Sequence, residues 1–239
     1  EHGTLLRGST YAAVQSELGW LMPNGKAPDA RKTSVLPRLE GFHAEELFRQ
    51  GKRVAIADIP PGTAEQRPVV VAAHAAGVGP EWACAAGRMF FGPTPIILCP
   101  DDAPSTHTVS PDTEPPQKSM TFGPYMSFVH AAYFGYSQGA MLSPAIWAAK
   151  NQPFHFETAF LLEGLPPNYA SLPPLMHNAG IRKVFLVSGQ SGWAAGHAQF
   201  ARRLSDAGIE ARHLALSFGH VPGSDVVDRL VHESAWLRE

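Results

Sequence analysis

The stretch Phe128-Val129-His130-Ala131-Ala132-Tyr133-Phe134-Gly135-Tyr136-Ser137-Gln138-Gly139-Ala140 decides how the chain is read. Residues 128–134 are an apolar run of strand length, and residues 138–150 have the small-residue start and spacing of a helix. Between them, Gly135-Tyr136-Ser137-Gln138-Gly139 places a serine on a sharp strand-to-helix turn. Such a serine sits in a strained backbone conformation. The residues two places before and after come so close to the turn that side chains there would clash, and glycine removes them. A bare Gly-x-Ser-x-Gly arises by chance; the strand before it and the helix after it give it meaning. The turn lifts the Ser137 hydroxyl above a sheet edge beside a helix N-terminus. There the backbone N–H of Gln138 points to where negative charge develops on a tetrahedral intermediate.

Outward from this turn, short apolar runs recur. Residues 68–73 (PVVVAA), 95–99 (PIILC), 156–162 and 183–188 (KVFLVS) read as strands buried on both faces. Residues 211–218 (ARHLALSF) alternate as a further strand. Residues 43–49 and 53–59 alternate as a strand pair about Gly51-Lys52. Helical patterns cover residues 80–90, 195–207 and 225–237, the first with Pro80 in its opening turn. Buried strands alternating with helices predict an α/β fold with a mostly parallel sheet and helices on both faces. Ligands of such sheets bind beyond the carboxyl ends of the strands, so catalytic groups are expected just after strands.

The chain has 239 residues and a net charge of −2, with 44% apolar residues. At ~100–200 residues per domain this suits one large domain, long enough to bury a core without metal or disulfides. The near-neutral balance argues against a nucleic-acid or anionic-membrane surface, and no run approaches the ~18 apolar residues of a membrane span. Residues 1–38 read as an N-terminal extension with a short helix over 11–21, and residues 39–239 as the main domain. Residues 100–118, rich in Pro, Asp, Ser and Thr, read as a surface excursion. The chain opens Glu1-His2-Gly3, with neither Met nor a visible leader, so an exported and a cytoplasmic location both stay open. Cys84 and Cys99 read either as one disulfide or as two buried thiols. Oligomeric state is open.

Serine needs a base near pH 7. His220 follows the strand at 211–218, in the tight loop Phe218-Gly219-His220-Val221-Pro222-Gly223, and is the expected base. His213, within the strand, and His232, within the last helix, are less well placed. The histidine in turn needs an acid to fix its tautomer. The loop after residues 183–188, Gly189-Gln190-Ser191-Gly192-Trp193, carries no carboxylate. Glu163, ending the strand at 156–162, is the favoured acid. Asp101 and Asp102 are rivals, and Asp225 and Asp228 better suit the start of the final helix. The second oxyanion amide is assigned to Ala75, with Ala76 as alternative, in His74-Ala75-Ala76-Gly77; His74 is expected to brace that loop. Tyr136, Trp82, Trp193 and Phe122 are candidates to line an acyl pocket or equally to pack the core.

With these pieces in place the chain resembles the α/β-hydrolase superfamily, specifically esterases of the carboxylesterase/thioesterase and dienelactone-hydrolase kind. The matching segments are 68–77 (PVVVAAHAAG), 135–139 (GYSQG), 183–190 (KVFLVSGQ) and 218–220 (FGH), within a resemblance that covers residues 41–239. It implies an eight-stranded sheet and a cofactor-free acyl-enzyme mechanism on a small-molecule ester. There are two departures. The acid is absent from its commonest place after the seventh strand, although some members carry it after the sixth, where Glu163 lies. The oxyanion loop reads His-Ala-Ala-Gly instead of starting His-Gly. These departures keep a second expectation in play, a non-catalytic hydrolase fold that binds a ligand or partner. A metalloenzyme is disfavoured, since His232-Glu233 lacks the second histidine of HExxH, and Gly77 with Gly79 lacks the rest of a nucleotide-binding loop.

Overall fold

The computed structural model describes residues 44–49, 52–60, 67–76, 79–101, 131–147, 155–220, 222 and 224–238. The extension at 1–38, most of the excursion, Asp102 and Phe122 lie outside them. In chain order the elements are β1 (Ala44–Arg49), β2 (Lys52–Asp58), β3 (Val69–Ala73), α1 (Pro80–Phe91), β4 (Ile96–Pro100), β5 (Ala131–Tyr136) and α2 (Gln138–Trp147). There follow β6 (Phe156–Leu162), a 3₁₀ turn at Tyr169–Ser171, α3 (Leu172–Asn178), β7 (Lys183–Ser188), α4 (Ser191–Asp206), β8 (Glu210–Ala215), α5 (Ser224–Glu233) and a 3₁₀ turn at Ala235–Arg238.

The strands form one eight-stranded sheet in the order β1-β2-β4-β3-β5-β6-β7-β8. The sheet is mixed, which corrects the expectation of a mostly parallel one: β1–β2 and β2–β4 pair antiparallel. For β1–β2 the reason is the length of the connection. Arg49 lies opposite Lys52, two residues apart in the intervening chain, whereas a parallel crossover needs a dozen or more residues. From β4 through β3, β5, β6 and β7 to β8 the pairing is parallel, so these strands end on the same edge.

Side chains alternate between two cores. Phe134, Phe160 and Phe185 face α1 and α5, with Trp82, Phe90, Val227 and Leu230. Tyr133, Leu161 and Leu186 face α2, α3 and α4, with Trp147, Met176, Phe200 and Leu204. Phe90 packs on Phe134 and Phe160 at ring separations of 5.4 and 4.9 Å. Burying each such ring contributes about 1.5–3 kcal/mol. A disulfide joins Cys84 in α1 to Cys99 in β4, with Cα atoms 5.6 Å apart, which settles the choice between bond and buried thiols.

Several boundaries differ from those expected. α4 begins at Ser191, four residues early, taking Gly192 into its first turn. β8 stops at Ala215, and the last helix breaks after Glu233 into the 3₁₀ turn. α3 has no counterpart in the sequence reading: Pro173 and Pro174 suggest a loop, yet proline is compatible with a first helical turn, and there they start one. Among the described residues no helix is long and apolar enough to cross a membrane.

Candidate active site

β5 runs straight into α2, and Ser137 is the hinge between them. Its φ is +51°, in the left-handed region that costs a non-glycine residue about 1–2 kcal/mol. The fold holds it there on both sides: Ser137 N–H donates to Leu162 C=O at 2.8 Å, and Ser137 C=O accepts from Met141 N–H at 3.0 Å. The flanking glycines are required by close approach. A Cβ on Gly135 would lie 2.8 Å from the Ala140 amide nitrogen, and one on Gly139 would strike the Ala73 carbonyl. Gln138 opens α2, where the first amides have no partner within the helix.

The same construction repeats one strand over. Glu163 is the first residue after β6, with φ +53°, and its N–H donates to Val187 C=O at 2.9 Å. Its side chain is fully buried. It leans across β7: Oε1 accepts from the Gly189 amide and from the Gln190 amide, the latter at 3.2 Å. Oε2 faces Nδ1 of His220 at 3.4 Å. The loop after β7, which carries no carboxylate of its own, is thus served by the carboxylate of the neighbouring strand.

His220 is brought there by the loop after β8. Gly219 N–H donates to Gly189 C=O at 3.2 Å. The Phe218-Gly219 segment sits so close to Gly189 that a Cβ on Gly189 would collide with both residues. Tyr136, immediately before Ser137, holds the imidazole from below. Its hydroxyl donates to the His220 carbonyl at 2.8 Å, and its ring stacks on the imidazole at 5.3 Å between centroids. The His220 side chain stays 42% exposed, so it remains accessible to a reactant. With a carboxylate facing Nδ1, the proton of the neutral ring belongs on Nδ1, which leaves the Nε2 lone pair as acceptor.

The loop after β3 is braced as its first residue suggests. His74 Nδ1 contacts Ala75 C=O at 2.8 Å and Nε2 contacts Asp101 C=O at 3.1 Å, tying the ends of β3 and β4. Ala75 is buried and Ala76 exposed. Of the aromatic candidates, Trp82 and Tyr136 are only 2% and 3% exposed and pack on each other at 4.4 Å. The described contacts of Tyr136 therefore support His220, while Trp193, at the start of α4, is half-buried. Asp101 lies after β4, where its carbonyl meets His74; Asp228 and His232 are exposed on α5. His213 pairs instead with Ser188 Oγ at 3.0 Å.

Residues not singled out in the sequence also meet here. His197, on α4, is fully buried and contacts the Gly164 carbonyl at 2.9 Å. Burial, together with the nearby His213, pushes its pKa down to about 4 against the raising effect of that hydrogen bond. Its signal was periodicity: Trp193, His197, Phe200 and Leu204 recur at the spacing of an inward helical face. A cavity of about 500 Å³ lies at the opposite edge of the sheet, lined by Pro68, Ala131, Glu157, Lys183 and Arg238 among others. Pro68, Ala131, Glu157 and Lys183 are at or near the amino ends of their strands and Arg238 ends the C-terminal 3₁₀ turn, so the cavity lies away from the Ser137 turn.

No protein-family model matches the chain, and no curated protein matches it. Among solved structures it is similar to a thermostable esterase, at 14% identity and TM-score 0.52 over 82% of this chain. The chain spans 62% of the length of that esterase. It is also similar to the Bacillus cereus carboxylesterase, at 10% identity and TM-score 0.47, over 77% of this chain and 93% of that one. A carboxylesterase from Mesorhizobium loti aligns at 16% identity and TM-score 0.46, over 70% of this chain and 89% of that one. At such identities the thermostable esterase speaks to architecture, and with the strand order and the strand-to-helix turn it establishes that this chain has the α/β-hydrolase fold.

Proposed function

We propose that the chain is a serine-dependent hydrolase of small carboxylic esters or thioesters, with Ser137, His220 and Glu163 as its triad. The observation that supports this most is an imidazole whose Nδ1 faces a buried carboxylate 3.4 Å away, beside it a serine held at a left-handed turn directly after the tyrosine that stacks on that imidazole. Ser137 Oγ attacks the carbonyl carbon while His220 Nε2 takes its proton. The amides of Gln138 and Ala75 receive the charge on the tetrahedral oxygen. His220 then gives the proton to the leaving alcohol or thiol, and the C–O or C–S bond breaks to leave an acyl-enzyme. Water attacks that ester with His220 again as base, releasing the acid and restoring Ser137. Glu163 holds the imidazole in the required tautomer throughout. Trp193 lines the acyl side of the site, with Tyr136 and Trp82 behind it. Residues 39–239 form the catalytic unit, and residues 1–38 are an appendage to it.

The test is a panel of p-nitrophenyl esters of graded chain length, run beside Ser137→Ala. We expect the variant to lose at least ~10³-fold in kcat/KM, with an unchanged melting temperature. Hydrolysis undiminished in Ser137→Ala would refute the assignment. A folded protein whose Ser137 fails to react with a fluorophosphonate probe would favour a binding protein on a hydrolase fold.

A further inference from the structure

Gly164 is where the acid and the nucleophile are built against each other. It follows Glu163 directly, and a Cβ on it would strike the Ser137 carbonyl. Its own carbonyl meets Nε2 of His197 at 2.9 Å, reaching in from α4. A carbonyl only accepts, so His197 carries its proton on Nε2 and donates it there. Among the described residues Nδ1 has no hydrogen-bond partner. The ring is fully buried between Trp193, stacked at 6.4 Å, and the edge of His213 at 5.8 Å. Its neighbours on the inward face of α4 are apolar, and a leucine there would fill the space without desolvating a polar ring. Packing alone thus gives no reason for an imidazole, whereas the bond to Gly164 does. The residue that bond steadies is a glutamate with φ +53°, a conformation that persists only where its surroundings impose it.

We propose that His197 is a positioning residue of the hydrolytic site: by donating Nε2–H to the Gly164 carbonyl it holds the left-handed turn that aims the Glu163 carboxylate at His220. This role rests on the triad reading above. His197 touches neither substrate nor the reacting atoms. It acts through Glu163, so its contribution exists only while Glu163 is a carboxylate. The turn sits below the ester-binding edge, so loss of the bond slows the chemistry and leaves ester binding as it was.

The test is a double-mutant cycle on the full chain with a p-nitrophenyl ester. His197→Leu is expected to lower kcat by about tenfold to a hundredfold, with KM within about twofold. His197→Gln, whose amide N–H can reach the same carbonyl, recovers most of the loss. In a Glu163→Gln background, His197→Leu changes kcat by less than about threefold, because the two residues act as one unit. Should His197→Leu not fold, His197→Asn, too short to reach Gly164, takes its place in the cycle. An unchanged kcat in the folded variant, a loss carried in KM, or a penalty undiminished beside Glu163→Gln would each overturn the proposal. The ¹⁵N spectrum of histidine-labelled wild-type protein adds a readout that needs no variant: a neutral ring protonated on Nε2 is expected, and protonation on Nδ1 would overturn it. Failure of Ser137 to react with a fluorophosphonate refutes the esterase reading itself; a reactive Ser137 with an additive cycle refutes the His197 role alone.

Discussion

Glu163 shows what a single residue is asked to do here. One of its carboxylate oxygens is taken by the amides of Gly189 and Gln190, and the other faces His220. In Glu163→Gln the amide oxygen still accepts from the two backbone N–H groups, so the fold keeps its contacts. The amide NH₂ then faces His220 Nδ1 as a donor. The imidazole turns to the tautomer protonated on Nε2, which cannot take a proton from Ser137. The expected outcome is a fall of about 10²–10⁴ in kcat with KM and melting temperature little changed, measured by steady-state hydrolysis and thermal unfolding. A silent Glu163→Gln beside a damaging Asp101→Asn would move the acid to the end of β4.

Among the elements, α1 carries the loop that holds Ala75, and it is fastened to the sheet twice. Arg88 donates Nε–H to Asp58 Oδ2 at 2.6 Å, a buried pair between α1 and β2. Cys84 is bonded to Cys99, closing a loop of sequence separation 15. Constraining the unfolded chain over such a loop is worth about 3 kcal/mol. The double variant Cys84→Ala/Cys99→Ala is therefore expected to lose about that much, read as a lower urea midpoint, while kcat stays within about threefold because His74 still ties the Ala75 loop to Asp101. An unshifted midpoint would show that the bond adds nothing to the folded state.

For the molecule as a whole, the buried His197 and the half-buried His213 set a pH window. His197 binds a proton near pH 6.5 when unfolded and at about 4 when folded, because burial disfavours its cation. Between those values the unfolded chain holds more protons, so stability rises with pH through the window and is lost as pH falls through it. From this one side chain the loss amounts to about 3 kcal/mol between pH 6.5 and 4. His213, also lowered by burial, adds in the same direction. Urea unfolding at pH 7 and pH 4.5 measures the slope, and His197→Gln should flatten it; an equally steep slope in that variant would assign the effect to other groups.

Much of this architecture is local chemistry written along the chain. Strands β6 and β7 fall where their apolar runs fall, and the Gly-x-Ser-x-Gly turn declares itself because only glycine tolerates the close approach of neighbouring backbone. The position of His220 after the last strand follows from the same order of elements. Other features depend on residues far apart in sequence. The pairing of Glu163 with His220 spans 57 residues, and it was decided by the strand order that sets β6 beside β7 and β8 beyond it. The antiparallel edge of the sheet, the burial of Tyr136 and Trp82 behind His220, and the bond from His197 to Gly164 were settled the same way. Periodicity reports which face of an element is apolar, because that depends on side chains three, four or two residues apart. Which polar group meets which depends on how whole elements stack, and only the assembled sheet supplies that.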